Sequence, residues 1–586
     1  MRTVVYQLFV RHFSNFTTGG IPWGDRSTNG CGTFNGITEK ALTALAQMGV
    51  THLWLTGVLR HATQTPHEEA GLPADPACAV KGIAGSPYAV TDYYDVDPDL
   101  AECPERRMEE FTALLQRVRR CGMVPMMDFI PNHVSRCYRS VVCPEKSFGE
   151  GDDTSRFFAW DNSFYYLAPQ RSDWWLRLPQ GEFRAERGQG RVTGNNAETW
   201  TPTEWDWYET VKLNYGCDYH GGAAAANALP GCMTPPSGVP RTWRLMDDVL
   251  AYWQAKGVGG FRCDMAHMVP LPFWRWCILN SRLRDASVFF MAEGYDDHMS
   301  LAGCGVQQGL TSAGFHAVYD GAAYEQMRAV AGGEAWANDL DRLQFDHLPQ
   351  FGCGVRYIEN HDERRMASEQ FCARGSGEKL MPAAMALQYA ATCGPVLVYN
   401  GQECAERADG PGGFGGDGGR TSIFDYTNLP RFMHWTNGGA YDGALMTAEE
   451  RALRDFTAAL LPQLQHPALS KGGFYGLNWT NRETPGFGRA AGDTVSGHTL
   501  YAFLRHYRKA KATVLVLCNF SADETAETCV HIPQNAQEWA GKKGGAYRFR
   551  NLLCPQEVRE ADAAMLESSG LPVTLAPGQA LLLEWL

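Results

Sequence analysis

The sequence contains no apolar run long enough to cross a bilayer and no block of basic residues. Its formal net charge of −13 is spread along the chain, which argues against a nucleic acid or an anionic membrane as partner. The apolar run in the N-terminal MRTVVYQLFVRHF is too short for a signal peptide and no small-residue cleavage site follows it. We therefore expect a cytoplasmic protein with a neutral or cationic ligand, while a secreted chain trimmed of its leader would carry the same pattern.

Paired cysteine motifs are also absent. The 18 cysteines are scattered, many of them in apolar segments such as those around Cys121, Cys263 and Cys518, and none forms a CxxC pair. This distribution is typical of reduced thiols that fill a core. We expect neither a disulfide framework nor a zinc site.

What recurs along the chain is a unit of three parts, namely an amphipathic helix, a glycine and a short apolar run. Residues 37–48 lead to Gly49 and VTHLWL, residues 105–121 to Gly122 and MVPMMDF, and residues 242–256 to Gly257 and VGGFRCD. A fourth copy ends at Gly394 with PVLVY. Helices that alternate with continuously apolar strands are typical of βαβ units and a parallel sheet.

Four apolar runs carry a carboxylate at the same end: MVPMMD ends at Asp128, FRCD at Asp264, SVFFMAE at Glu293 and GVRYIENHD at Asp362. In a (β/α)8 TIM barrel the C-terminal ends of the strands converge on one mouth. A doubly wound open sheet also collects ligands at these ends, but four acids from separate strands meet more readily in a closed ring. The sequence therefore predicts an α/β fold with a (β/α)8 barrel, although Pro125 fits poorly inside a central strand because it cannot donate to a ladder.

Two further domains are expected beside the barrel. More than a hundred residues separate Asp128 from the helix at 242, where a barrel needs a short loop, and they are rich in aromatic residues. From roughly residue 470 the pattern changes to short strands such as TLYAFLRHY and ATVLVLCNF. We predict a barrel formed by residues 1–133 and 241–467, an inserted domain at 134–240 after the third strand, and a C-terminal antiparallel β-sandwich at 468–586.

Four motifs, in this order, resemble those of glycoside hydrolase family 13, the α-amylase family: DFIPNH (128–133), GFRCD (260–264), MAEG (291–294) and ENHD (359–362). YQLFVRHF near the start is similar to the first barrel strand of that family, and the resemblance extends to roughly residue 465. It implies a retaining α-glycosidase that acts on α-glucans.

The resemblance implies that Asp264 is the nucleophile, Glu293 the general acid and base, and Asp362 the acid that steadies the transition state. Arg262 lies two residues before Asp264 on the same face of a strand, so it can keep that carboxylate ionised and aimed. Glu293 has to start protonated, and apolar packing around residues 289–292 can raise its pKa. A structural ion pair for Arg262 and helix capping for the other two acids are the alternatives.

Substrate-binding positions are implied in the same way. His133 and His361 resemble the histidine pair that binds the sugar in the first glycone subsite, and Tyr88 resembles the tyrosine that stacks beneath it. Each of them is otherwise an ordinary core residue. Asp128 is expected to buttress Arg262 and not to react. Ala89 departs from the aspartate that many members have after the stacking tyrosine.

No cofactor is expected to be required, and calcium remains open. Asn132 matches a calcium ligand of the family, or it is a hydrogen-bonding strut. His267 and Met268 stand where many α-amylases have Lys and His, the second of which often gives a backbone oxygen to calcium. A carboxylate-rich shell of calcium ligands is not evident.

The predicted function is hydrolysis of α-glucosidic bonds in starch-like polymers or maltooligosaccharides by double displacement. A transglycosylase or isomerase with the same catalytic residues is the first alternative, and a non-catalytic sugar-binding or transporter-accessory protein is another. A metal-dependent barrel hydrolase is disfavoured because its His-x-His ligand set is missing. The long stretch 56–104 is expected to wall off one end of the site and to favour short substrates.

Overall fold

Eight parallel strands form the central sheet, and the eighth pairs with the first. The computed structural model describes residues 1–168, 174–295, 301, 305–342, 352–372, 377–416 and 418–586. A bridge between Arg356, which directly follows the seventh strand, and Val396 of the eighth completes the ring. The closed ring confirms the predicted barrel over an open sheet. The strands are β1 (Val4–Phe9), β2 (His52–Thr56), β3 (Val124–Phe129), β4 (Gly260–Cys263), β5 (Phe289–Ala292), β6 (Ala317–Tyr319), β7 (Gly354–Val355) and β8 (Val396–Tyr399).

A helix follows each of these strands along the chain, and together they surround the ring. The helices predicted near 37–48, 105–121 and 242–256 are confirmed as α1 (Glu39–Gln47), α2 (Arg107–Arg120) and α3 (Arg241–Ala255). Gly49 and Gly257 follow α1 and α3 with φ of 104° and 102°, a left-handed backbone that explains the helix–glycine–strand unit. Among the described residues no helix is both long and apolar enough to cross a bilayer. The eight helices are α1 (Glu39–Gln47), α2 (Arg107–Arg120), α3 (Arg241–Ala255), α4 (Leu271–Arg284), α5 (Val306–Ala313), α6 (Gly321–Gly332), α7 (Gly377–Ala390) and α8 (Ala448–Gln463).

Pro125 is accommodated in the central strand β3 because it lies near the beginning of that strand. Its carbonyl accepts a hydrogen bond of 2.9 Å from the backbone N–H of Gly259. Pairing with β4 begins one residue later, where Gly260 lies opposite Met126. The N–H group that Pro125 lacks therefore lies one residue before the ladder between β3 and β4, which would need it.

Two long excursions leave the barrel beside its C-terminal end. The first follows β2 and contains two strands that pair antiparallel. The second is the predicted insertion, which begins directly after β3, because His133–Ser135 pairs with Thr210–Lys212 before the chain reaches α3. Both excursions supply walls to the barrel mouth. Their strands are Leu59–His61, Val90–Val96, His133–Ser135, Leu176–Leu178, Gly181–Phe183 and Thr210–Lys212.

The C-terminal region is an antiparallel two-layer structure, as predicted. One layer has six strands in the order β9-β10-β11-β16-β13-β14, and the second pairs β12 with β15. Residues of both layers share one hydrophobic core, among them Leu515 and Val573. The strands are β9 (Gly473–Gly476), β10 (Leu500–Tyr507), β11 (Ala512–Asn519), β12 (Ala526–Val530), β13 (Ala546–Asn551), β14 (Val558–Asp562), β15 (Leu571–Leu575) and β16 (Ala580–Trp585).

The six-stranded sheet is buried on both faces where it meets the barrel. On β10 the side chains of Leu500 and Leu504 belong to the C-terminal core, whereas Tyr501 and Phe503 belong to the core shared with the barrel. Successive side chains of a strand point to opposite faces, so a strand covered on both sides reads as a continuous apolar run. Burial on both faces explains why the runs TLYAFLRHY and ATVLVLCNF are continuously apolar.

Candidate active site

The acids predicted from the sequence lie at the C-terminal end of the barrel. Asp264 and Glu293 directly follow β4 and β5, and Asp128 lies within β3, one residue before its end. The prediction that Asp362 closes a strand is wrong, because β7 ends at Val355 and Asp362 follows seven residues later. Asp362 lies instead on a turn, in which Asn360 Oδ1 accepts the backbone N–H groups of Asp362 (2.8 Å) and Glu363 (3.2 Å).

Arg262 on β4 connects three of these acids. Its Nη1 lies 2.6 Å from Oδ1 of Asp264, and its Nη2 lies 3.0 Å from Oε2 of Glu293. Asp128, directly opposite Arg262 in the β3–β4 register, is 3.8 Å from Nη1. The guanidinium is completely buried, and the ring centroids of Trp54 and Tyr88 lie 5.1 Å and 5.5 Å from it. A single cation therefore holds the predicted nucleophile and the predicted general acid side by side.

The charge state of Asp264 is set by two opposing effects. Burial raises the pKa of Asp264 to about 6, and the charges of Asp128 and Asp362 add to that rise. The charge and the hydrogen bond of Arg262 act in the opposite direction. Asp264 is therefore mostly ionised at neutral pH, which a nucleophile requires.

Asp128 is held by the surrounding structure and does not line the cavity that contains the other three acids. Its Oδ1 accepts from Trp54 Nε1 and its Oδ2 from the backbone N–H of Gly57, both at 3.1 Å. Burial raises the pKa of Asp128 to about 6, against the lowering effect of Arg262. These contacts are what a buttress for Arg262 requires.

Glu293 is positioned by the residue that follows Asp264. The backbone N–H of Met265 donates to Glu293 Oε2 at 2.8 Å, the same oxygen that faces Arg262. Met265 has φ 44° and ψ 42°, a left-handed conformation that is uncommon for a residue with a side chain. The local backbone is therefore shaped to connect the two predicted catalytic carboxylates.

Asp362 is the most accessible of the acids in the cavity. Its side chain is 42% exposed, compared with 8% for Asp264 and 6% for Glu293, so it is the one most open to a ligand. Loss of water around the carboxyl in the cavity, followed by the charge of Glu293, raises the pKa of Asp362.

His361 and Tyr88 form a bonded pair at the cavity wall. His361 Nε2 lies 2.6 Å from the Tyr88 hydroxyl and 3.2 Å from Asp362 Oδ2. Its Nδ1 lies 2.8 Å from the side-chain nitrogen of Gln7, a fully buried residue of β1. Burial and the charge of Arg262 lower the pKa of His361 to about 3, so the ring is neutral. Gln7 was not predicted, and its place within the quoted run YQLFVRHF was the only signal for it.

His133 lies in the same cavity, at the start of the insertion. Its ring centroid is 5.3 Å from that of Trp207, and Asn132 Nδ2 lies 3.1 Å from its Nδ1. Burial, followed by the charge of Lys212, lowers the pKa of His133 to about 3. A neutral imidazole donates or accepts hydrogen bonds without adding charge, which suits a sugar hydroxyl.

The cavity measures about 370 Å3 and is enclosed by three segments above the barrel mouth. Lys81 in the first excursion forms an ion pair of 3.1 Å with Glu209 in the insertion. Ile423 and Phe424, in the loop after β8, cover another side. None of these residues belongs to a motif, so the sequence offered no signal for them. The lining comprises Lys81, Ser86, Tyr88, His133, Trp207, Glu209, Thr210, Asp264, Met265, Glu293, Tyr295, His361, Asp362, Ile423 and Phe424.

The surroundings of Asn132 do not fit a calcium ion. Its Oδ1 accepts a hydrogen bond from Lys212 Nζ, and its Nδ2 donates to the carbonyl of Gly194 at 2.9 Å. Lys212 Nζ also donates to the carbonyl of Met268 at 3.3 Å. Both oxygens that the resemblance offers to calcium are thus engaged by a lysine, and burial lowers the pKa of that lysine to about 7. Asn132 therefore has the contacts of a strut.

Comparison with known proteins gives a family match and several distant relatives. Residues 7–288 match the model of the α-amylase catalytic domain. Maltase 1 of Drosophila virilis is 24% identical over 261 residues, 44% of this chain and 31% of that protein. The α-amylase MalA of Haloarcula japonica is 24% identical over 408 residues, 69% of this chain and 44% of that protein. The chain thus spans about a third to less than half of the length of these relatives.

A solved structure resembles the whole chain. The maltogenic α-amylase AmyB of Thermotoga neapolitana superimposes with a TM-score of 0.58 at 20% identity, over 100% of this chain and 98% of that one. At this identity the likeness supports the fold alone.

Proposed function

The chain belongs, through residues 7–288, to the α-amylase family, and we propose that it is a retaining α-glycosidase that hydrolyses α-glucosidic bonds. The observation that carries this proposal is the bridge of Arg262 between Asp264 and Glu293 at the barrel mouth. A retaining enzyme needs its two carboxyl groups close together, because one attacks the carbon from which the other expels the leaving group.

The two chemical steps use the same two residues. In the first, a carboxylate oxygen of Asp264 bonds to the anomeric carbon while Glu293 gives its proton to the departing glycosidic oxygen. In the second, Glu293 takes a proton from water, the water oxygen bonds to the anomeric carbon, and the bond to Asp264 breaks. Asp362 accepts hydrogen bonds from sugar hydroxyls as positive charge develops on the ring.

Neighbouring groups hold the sugar. Tyr88 offers an aromatic face to the C–H surface of the ring, and His133 and His361 offer uncharged nitrogens to its hydroxyls. Arg262 keeps the nucleophile ionised and aimed. No step requires a metal ion.

We also propose that the enzyme acts on short maltooligosaccharides. The cavity of about 370 Å3 lies near the lower limit for ligand sites, and the Lys81–Glu209 ion pair joins the two excursions across it. A closed glycone end admits the terminus of a chain more readily than its middle. This agrees with the expectation that the stretch 56–104 walls off the site.

The test is the product profile on starch, maltotriose and isomaltose. Chromatography identifies the products, and NMR identifies the anomeric form in which they are released. We expect release of α-anomeric glucose or maltose from maltotriose and a slow reaction on starch. Release of the β-anomer, or no hydrolysis of any α-glucoside, would overturn the proposal. Preference between maltotriose and isomaltose identifies the linkage.

Transglycosylation is a second candidate, and the apolar cover of the cavity favours it. Trp207, Ile423 and Phe424 line the cavity, and such apolar walls exclude water and pack against an acceptor sugar. The same maltotriose assay separates the two functions. Products longer than maltotriose at early times support transfer, whereas only shorter products support hydrolysis.

A further inference from the structure

A second cavity lies at the opposite end of the barrel from the proposed active site. It measures about 430 Å3 and is lined by residues at the beginnings of β1, β5 and β8, namely Arg2, Thr3, Phe289 and Pro395. The helix Pro467–Lys471 and the end of β10 complete its wall, so it lies where the barrel meets the C-terminal sheet. The proposed glycosidase reaction does not use this cavity.

Arg2 is a buried cation in this wall. Only 5% of the residue is exposed. Its Nε donates to the carbonyl of Gly394 at 2.8 Å, and its Nη1 to the carbonyl of Leu469 at 3.4 Å. Its Nη2 is buried and has no hydrogen-bond partner, and no carboxylate of the described residues forms an ion pair with Arg2. A buried charge is normally paired, so this guanidinium is short of a counter-ion.

The other groups around the cavity also suit an anion. Lys471 is exposed and forms no ion pair within the described part of the chain. Tyr507 adds a residue with a hydroxyl donor to the same lining, whereas the hydroxyl of Ser470 donates to the carbonyl of His466 at 3.1 Å. The described lining residues include no Asp or Glu, in a chain whose formal net charge is −13. Positive charge is therefore concentrated at this cavity, although the chain as a whole is negatively charged.

Electrostatics support this description. Burial, followed by the charge of Arg505, lowers the pKa of Arg2 to about 9. Arg2 thus remains a cation at neutral pH, although burial and neighbouring positive charge disfavour its charged form. A bound anion would relieve both effects.

We propose that this cavity binds a phosphate group, either as the inorganic ion or as part of a small phosphorylated sugar. Guanidinium and ammonium groups bind phosphate through charge-assisted hydrogen bonds, and the Tyr507 hydroxyl adds a neutral donor for a remaining oxygen. Arg2 already contacts the carbonyls of Gly394 and Leu469, which lie on the barrel and on the helix that precedes β9. An anion between Arg2 and Lys471 therefore strengthens the junction of the two domains.

The test is a titration of the full chain with inorganic phosphate and, separately, with glucose 1-phosphate. Heat of binding and melting temperature are recorded against sodium chloride and sodium acetate at matched ionic strength. Since a ligand of the folded state stabilises it, we expect a saturable heat of binding with phosphate and a melting temperature that rises with the logarithm of the phosphate concentration, and neither effect with chloride. Tighter binding of glucose 1-phosphate identifies a sugar phosphate, and equal binding identifies the phosphate group alone.

Three variants locate the site. Arg2→Met and Lys471→Met should each raise the phosphate concentration at half-saturation by about tenfold or more. Lys40→Met, an exposed lysine on α1, is the matched control and should bind like the wild type. Lys471→Met keeps the test valid if loss of Arg2 impairs folding, because Lys471 is exposed. The proposal fails if phosphate gives no saturable effect beyond that of chloride, if acetate binds equally well, or if Lys471→Met leaves binding unchanged.

Discussion

Arg262 Nη1 lies 2.6 Å from Oδ1 of Asp264, two residues further along the chain. The two side chains share one face at the end of β4, and the same guanidinium reaches Glu293 with its other terminal nitrogen. This cation therefore has two proposed tasks, to keep Asp264, the proposed nucleophile, ionised and to hold Glu293, the proposed general acid, beside it. Neither task is possible for an apolar residue, which explains an arginine in an otherwise apolar run.

Replacing Arg262 should separate these two tasks. Arg262→Lys keeps a charge but loses the planar fork, so we expect kcat/KM to fall by about a hundredfold or more. Arg262→Met removes the charge as well, and because that charge lowers the pKa of Asp264, the acid limb of the pH profile should move to higher pH. Steady-state kinetics between pH 4 and 8 measure both effects.

Arg106→Met is the control for these variants, since Arg106 is exposed on the surface and pairs only with Glu109 among the described residues. Its kinetics should match the wild type. An Arg262→Met variant with an unshifted acid limb would contradict the assigned role.

Asp264→Asn should lose activity and gain stability. The asparagine cannot attack the anomeric carbon, so turnover should be almost abolished. A carboxyl whose pKa rises from 3.8 to about 6 on folding binds its proton more tightly in the folded state. Its ionisation therefore destabilises the fold progressively as the pH rises through that window, and the full cost is present above pH 6.

The stability gain of Asp264→Asn should follow this window. We expect almost no difference in unfolding free energy from the wild type near pH 4 and a gain of up to about 3 kcal/mol above pH 6. Denaturant unfolding at several pH values measures it, with Asp455→Asn, an exposed residue of α8, as control. Equal stabilities at pH 7 would contradict the raised pKa of Asp264, and substantial residual turnover would count against Asp264 as the nucleophile.

Much of the fold was predictable because its periodicity is local. The amphipathic stripe of α1, the glycine after it and the apolar strand β2 lie next to each other in the sequence. Asp264 and Glu293 were placed correctly because each directly follows a strand, and strand ends meet at the barrel mouth. Their catalytic roles stay predictions, as do the domain boundaries.

The rest of the site depends on contacts that periodicity does not encode. Asp362 lies on a turn made by the side chain of Asn360, and a run such as GVRYI gives no sign that the strand stops at Val355. Lys81 and Glu209 meet across two excursions, 128 positions apart by their numbers. Lys212 reaches Asn132 across 80 positions. Such pairs are fixed by packing in space, which a single sequence does not reveal.

Removal of divalent metal ions should leave the enzyme unchanged. Lys212 already bonds the Asn132 and Met268 oxygens, so we propose that no calcium ion is needed there. We expect the same kcat/KM and melting temperature before and after dialysis against EDTA. Loss of activity that calcium restores would refute this proposal.

Lys212→Met should instead destabilise the protein. It leaves the buried oxygens of Asn132 and Met268 without this donor, at a cost of about 1–3 kcal/mol in unfolding free energy. Lys40→Met, an exposed lysine of α1, is the control and should have little effect. If added calcium rescues Lys212→Met but not the wild type, the two oxygens do form a latent cation site.

Gln7 should act on the substrate through His361. The amide nitrogen of Gln7 can only donate, so its contact of 2.8 Å leaves Nδ1 as acceptor and places the imidazole proton on Nε2, beside Tyr88 and Asp362. Gln7→Leu removes this constraint, and we expect kcat/KM to fall by about ten- to a hundredfold with the fold intact.

Gln7→Glu distinguishes positioning from packing. A carboxylate can only accept, so it draws a proton to Nδ1 and favours the doubly protonated ring, which raises the pKa of His361 from its present value of about 3. A new ionisation should then enter the pH profile of kcat/KM in this variant and be absent from Gln7→Leu. Gln7→Met, which fills the same space without a donor, should resemble Gln7→Leu. If Gln7→Leu and Gln7→Met keep wild-type kcat/KM, the amide only fills the barrel, and the orientation of His361 must come from Tyr88.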